Sequence, residues 1–257
     1  MTTTLDHRIA PQLPVIPRQR FSTLTAVEVR KMTDTRSGLA VLGTVLAIAL
    51  LGIGWKLFHI DGVQPSWGDF SGILPVVGMA LAVIGLLGMT AEWTQRTALT
   101  TFTLSPRRGR VLAAKFLASI LLALAALAVV FLLMIGGIAL AGAISGLGTD
   151  FSGMGRGVSG YLVTAVLQVT MAAGFGALTA QTAVAVGAYF VAPTIWAAAA
   201  PAVLGENSQW FDIFVALDRL SSGHPGTDLA RSLTAVAVWI VVPTVVGVTR
   251  SLRREVK

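Results

Sequence analysis

Five stretches of this chain contain no Asp, Glu, Lys or Arg: Ser37–Trp55 (19 residues), Phe70–Ala91 (22), Phe116–Thr149 (34), Gly157–Gly205 (49) and Ser232–Thr249 (18). A helix crossing a bilayer needs about 20 mainly apolar residues, so four of these runs each hold one crossing. The longest run would be about 74 Å as a single helix, far beyond a hydrocarbon core of ~30 Å. It must fold back, and the polar group Thr179, Gln181 and Thr182 behind Gly174 and Gly176 marks the turn. The expectation is six spans, at about Gly38–Lys56, Ile73–Ala91, Phe116–Ala141, Val158–Leu178, Ala183–Leu204 and Leu229–Val248. Barrel strands alternate over ~10 residues, whereas these runs are apolar on every face. The fold class is therefore all-α, a polytopic helical membrane protein.

Composition closes the soluble alternatives. Only 12% of the residues are charged, against roughly 25% in an ordinary soluble domain. The absence of cysteine removes disulfides, thiolate zinc sites and Cys nucleophiles together. A net charge of +7 invites a nucleic-acid reading, but the distribution of the charge argues otherwise. With six spans, 15 of the Lys and Arg residues fall on the side of the termini and 4 on the other. The positive-inside rule then places both termini in the cytoplasm and the chain, multi-pass, in the cytoplasmic (plasma) membrane. The basic surplus meets lipid headgroups; no nucleic-acid partner is expected.

Residues 1–20, with Pro11, Pro14 and Pro17, read as an extended tail. Residues 21–36 read as an interfacial helix, with Phe21, Leu24 and Met32 on one arc and Arg30 opposite. Glu28 sits inside that apolar arc. The six-span domain occupies 37–249, with a cytoplasmic loop at 92–115 and an outer loop at 205–228; a basic tail follows at 250–257. In the cytoplasmic loop, Ser105-Pro106 reads as the cap and first-turn proline of a helix that runs into the third span. Arg107, Arg108, Arg110 and Lys115 are expected to contact headgroups or an acidic partner. In the outer loop, Trp210, Phe211 and Phe214 fit an aromatic belt, with short helices expected at that face.

Familiar chemistries are missing. The four lysines follow Arg30, Trp55, Ala114 and Val256, so no phosphate-binding Gly-Lys-Ser/Thr loop exists. His7, His59 and His224 are too scattered for a shared metal site. Gly157-Val158-Ser159-Gly160 matches an intramembrane-protease pattern, but no histidine in a later span is available as its base. The span centres carry no ionisable group, and Gln168 is the strongest polar group at depth, a candidate for a substrate pathway. No catalytic residue and no metal ligand is assigned; the chain is not expected to be an enzyme on its own.

Two segments carry a likeness. Glu28-Val29-Arg30-Lys31-Met32-Thr33-Asp34-Thr35-Arg36 precedes the first span. Between the second and third spans stand Glu92-Trp93-Thr94-Gln95-Arg96-Thr97-Ala98-Leu99, Leu104-Ser105-Pro106-Arg107-Arg108 and Val111-Leu112-Ala113-Ala114-Lys115. With six spans, this resembles the membrane (permease) subunits of type-2 ATP-binding-cassette (ABC) exporters, although Gln95-Arg96 stands where many relatives carry a glycine before the threonine. The resemblance implies a permease half that pairs with a second permease chain, identical or a sister, and with two copies of an ATPase subunit. ATP and Mg would be bound by that partner, and this chain would hold no cofactor. The coupling residues would be Glu28, Lys31, Glu92, Arg96, Leu99 and Phe102. An amphipathic or lipid-like cargo, including a drug or antibiotic, would suit the apolar spans. Two alternatives stay open: a non-transporting membrane scaffold, and a secondary transporter or channel.

Overall fold

A computed structural model describes residues 20–60, 62–95, 107–222 and 228–253. Six helices are long and apolar enough to cross a membrane, and no named strand occurs among the described residues. The chain is a multi-pass helical membrane protein. An N-terminal helix α1 (Phe21–Asp34) is followed by α2 (Arg36–Phe58), the short α3 (Trp67–Ser71), and α4 (Leu74–Thr94). Then come α5 (Arg108–Ser145), α6 (Met154–Thr179), α7 (Thr182–Leu204), a 3-10 turn at Gly205–Trp210 and α8 (Ile213–Ser221). The last span is built from α9 (Leu229–Val236), a π-helical segment (Ala237–Val241) and α10 (Val242–Arg253).

Local chemistry sets these boundaries. Thr35 is extended, and its hydroxyl accepts from the Gly38 amide at 3.2 Å, so α1 ends and α2 starts there. The sharp bend needs Gly38, because a Cβ at that position would collide with the Met32 carbonyl. The fold-back inside the longest charge-free run takes only Ala180 and Gln181, with Ala180 in the left-handed region at φ 53°. Helix α5 starts at Arg108; the Ser105-Pro106 signal lies outside the described residues. At 38 residues, α5 is roughly 57 Å long and overshoots a ~30 Å core. The π segment precedes Pro243, whose missing N–H leaves the Trp239 carbonyl without its usual partner four residues on.

Helices α4 and α6 form the centre. One apolar cluster joins them to α2, α3 and α5 through Val45, Phe70, Leu81, Leu127, Met134 and Val169. A second joins them to α7, α8 and the π segment through Leu86, Phe175, Tyr189, Ile213 and Ile240. Close approach replaces hydrophobic pressure as the main force between helices in lipid. At Gly85 an added Cβ would stand 2.5 Å from the Val169 carbonyl, and at Gly247 it would stand 2.7 Å from the Gly174 carbonyl. Leu51, Leu132, Ile195 and Val203 point outward, where lipid accepts them. At the end of α6, Arg250 and Ser251 donate to the carbonyls of Leu178 (3.2 Å) and Ala177 (3.1 Å), so the last helix caps α6.

Candidate functional site: a charged junction and an apolar cavity

The inward face of α1 is Thr25, Glu28 and Met32, one helical stripe with an acid in its middle. That acid explains itself in three dimensions. Lys115 Nζ on α5 lies 2.8 Å from Glu28 and 3.1 Å from Glu92 on α4, while Lys31 Nζ lies 2.9 Å from Glu28 and 3.1 Å from Glu92. Two carboxylates and two ammoniums thus alternate in a closed ring joining α1, α4 and α5. The side chains of Lys115, Glu28 and Glu92 are 5%, 6% and 11% exposed, and that of Lys31 is 45% exposed.

The ring satisfies its most buried member. An ammonium has three donors, and Lys115 directs bonds to Glu28, to Glu92 and, at 3.3 Å, to the Gly88 carbonyl. Gly88 lacks a side chain where Met32 of α1 and Ser119 of α5 crowd α4, since a Cβ there would clash with Met32. For Lys31, burial pulls the pKa down, but the hydrogen bond and charge of Glu28 and the charge of Glu92 outweigh it and hold it above the usual lysine value. A neighbouring cavity of about 380 Å³ is lined in part by Lys31, Glu92 and Gln95.

Of the residues expected to couple to a partner, Glu28, Lys31 and Glu92 converge on one another. Arg96, Leu99 and Phe102 lie outside the described residues. Lys115, expected at headgroups or a partner, is buried inside the protein instead. The expectation failed because Lys115 opens a long apolar run and reads as a span flank, while its two acids lie 87 and 23 positions away in sequence. Arg107 is exposed at the start of α5, with Arg108 and Arg110 half-buried beside it. A hydroxyl chain missed in the sequence lies at the same end: Thr182 donates to Thr90 at 2.9 Å and meets Thr94 at 3.0 Å, tying α7 to α4.

Gln168 sits on α6, 8% exposed, and its Oε1 has no hydrogen-bond partner. It lines a cavity of about 240 Å³ between α4, α6, α7 and α8. Pro75 and Met79 of α4, Tyr161 of α6, Tyr189 of α7 and Asp218 of α8 share that lining. The cavity is walled partly by α8, which with the 3-10 turn makes up most of the described part of the outer loop, residues 205–222. Asp212 caps α8 by accepting from the amides of Phe214 (2.9 Å) and Val215 (3.2 Å). The Gly-x-Ser-Gly pattern has a packing role here: Gly160 lets α6 touch the Ser221 carbonyl, and Ser159 donates to the Arg156 carbonyl at 2.8 Å.

Comparison of the chain with known protein families and with characterised proteins finds no match in either. The likeness to ABC permeases therefore stands on the quoted residues alone, and the fold defines a multi-pass helical membrane protein.

Proposed function

We propose that this chain is the permease subunit of an ATP-driven exporter of the type-2 ABC kind, moving an amphipathic or lipid-like substrate across the cytoplasmic membrane. The observation that carries this reading is the charged ring. It locks α1 to the end of α4 and the start of α5, the two helices that residues 95–107 connect. A push on that connection, or on α1, displaces the three helices as one block. Glu92 lies 13 residues along α4 from Met79 in the cavity wall, a lever of roughly 20 Å at ~1.5 Å per residue. The ring and the cavity sit at opposite ends of the same rigid helix, which is the arrangement a transmitter needs.

In this reading a partner ATPase, in two copies, supplies and hydrolyses ATP with Mg, and a second permease chain completes the pathway. The test is tagged purification from native membranes, with identification of associated chains. Co-isolation of an ATPase supports the proposal. Leu99→Asp and Phe102→Asp should each weaken the association strongly, because a carboxylate placed in an apolar contact costs several kcal/mol. Arg96→Ala should act mildly, in the range of ~0–1 kcal/mol. Isolation of the chain with no ATPase, under conditions that preserve membrane complexes, would sink it.

A further inference from the structure

We infer that the cavity between α4, α6, α7 and α8 is a binding site for a small amphipathic amine, with a donor on Gln168 and the cationic group towards Asp218. As the cargo site it rests on the transport reading; as a binding site it stands on its own geometry.

The reasoning starts from the unpartnered oxygen. A buried acceptor without a donor costs about 1–3 kcal/mol, and such a group inside a bilayer-spanning helix marks a place where a donor is expected to arrive. Gln168 contributes its carboxamide to the cavity wall beside Gly78; the oxygen is shut off in this rotamer, and a half-turn of the amide, whose two ends are nearly isosteric, presents it to an N–H or O–H from a ligand. The middle of the cavity is apolar, with Met79, Met171, Ile213 and Leu217 in its wall. Methionine adapts to varied apolar shapes, and the rings of Tyr161 and Tyr189 attract cations.

Charge at the rim has one sign available. Asp218 is exposed at the end of the cavity. The adjacent cation, Arg219, turns away to Asp228 at 3.3 Å and to Gln209 at 3.1 Å, and Arg231 takes the other oxygen of Asp228 at 3.2 Å. Both guanidiniums are thus directed to the one carboxylate of Asp228, and Asp218 lines the cavity with no ion pair among the described residues. From Gln168 to Tyr161, beside Ser221 and Asp218, is seven residues of α6, about 10 Å at ~1.5 Å per residue. The volume of about 240 Å³ lies below the ~300–1,000 Å³ typical of drug-sized pockets, so the ligand is compact.

The probe is naphthylmethylamine, titrated by its fluorescence against the purified chain in nanodiscs of zwitterionic lipid. Uncharged naphthylmethanol and anionic naphthoate serve as its matched comparisons. Saturable binding is expected in the order amine, alcohol, acid. Gln168→Leu should weaken amine and alcohol alike by about tenfold. Asp218→Asn, a surface change that spares the fold, should weaken the amine by about tenfold and leave the alcohol unchanged. Equal binding of all three probes, partition into lipid without saturation, or parental affinity in the Asp218→Asn chain would overturn the assignment. No ATPase is needed for this titration. Its failure therefore leaves the transport proposal standing, and failure to find an ATPase leaves the binding result intact.

Discussion

Lys115→Met removes the ammonium from the centre of the charged ring while keeping most of its aliphatic stem. Both Lys115 ion pairs and its bond to the Gly88 carbonyl disappear together, leaving Glu28 and Glu92 to share the half-exposed Lys31. Breaking a buried pair by removing one partner costs about 3–5 kcal/mol, because the surviving charge stays in low dielectric. Proton uptake sets a ceiling: an ordinary glutamate, with a pKa of ~4.3, is protonated at pH 7 for about 3.7 kcal/mol. A loss of about 3 kcal/mol lowers Tm by roughly 6–12 °C in a chain near this size. The sign of the pH dependence follows. A folded variant that holds a proton the unfolded chain lacks loses stability as pH rises. Moving from pH 7 to pH 5 should therefore return up to about 2.7 kcal/mol of the deficit. The assay is thermal unfolding in nanodiscs by circular dichroism at both pH values, with Glu28→Gln added to Lys115→Met as the rescuing variant. Arg30→Ala, which breaks the exposed Arg30–Asp34 pair, should move Tm by no more than about 2 °C. A Lys115→Met chain melting within about 2 °C of the parent at pH 7, or a gap unaltered at pH 5, would refute the buried-ring account.

Further expectations come from other parts of the fold. Lys31, held above the ordinary lysine value by Glu28 and Glu92 against the effect of burial, stabilises the fold below its unfolded pKa and ceases to do so as pH rises through its folded pKa. A Lys31→Met chain should trail the parent by about 1 kcal/mol or less after solvent screening, with the difference closing in unfolding scans above about pH 10.5. Ala180 occupies the left-handed region, which costs an L-residue about 1–2 kcal/mol. Ala180→Gly should thus hold or raise Tm, whereas Ala180→Val should lower it. For orientation, single cysteines at the exposed positions Val63 and Ser152 should react with an impermeant thiol reagent in intact cells, and one at Ser22 should react only after permeabilisation. Labelling of Ser22→Cys from outside would reverse the membrane orientation.

The spans were legible because a single property, absence of charge over about 20 residues, decides them without reference to any other part of the chain. The fold-back at 180–181 was legible for a related reason: length forbade one helix, and the polar group Thr179, Gln181 and Thr182 lies at the middle of the run. Glu28 was visible as an anomaly in an apolar arc, yet its meaning depends on Lys115 and Glu92 arriving from α5 and α4. Convergence over such separations leaves no local pattern in a sequence. Gln168 stood out as a buried amide, but whether it meets a partner or a cavity depends on how four helices diverge around it. The cavity itself is lined by the same residue types that fill the core. Pro243 was on view in the last span, and the π segment it accompanies is a response of the backbone that hydropathy does not register.

The account turns on energy entering from a partner and reaching the bundle through α1, α4 and α5. Its most direct test is ATP hydrolysis by the complex purified from native membranes, measured with and without naphthylmethylamine, in the parent and in Lys115→Met. The account predicts no hydrolysis by the isolated chain, which lacks a phosphate-binding loop. It predicts ligand-stimulated hydrolysis by the parent complex, and basal hydrolysis that no longer responds to ligand in the variant. Saturable hydrolysis by the chain alone, or full ligand stimulation in a folded Lys115→Met complex, would contradict it.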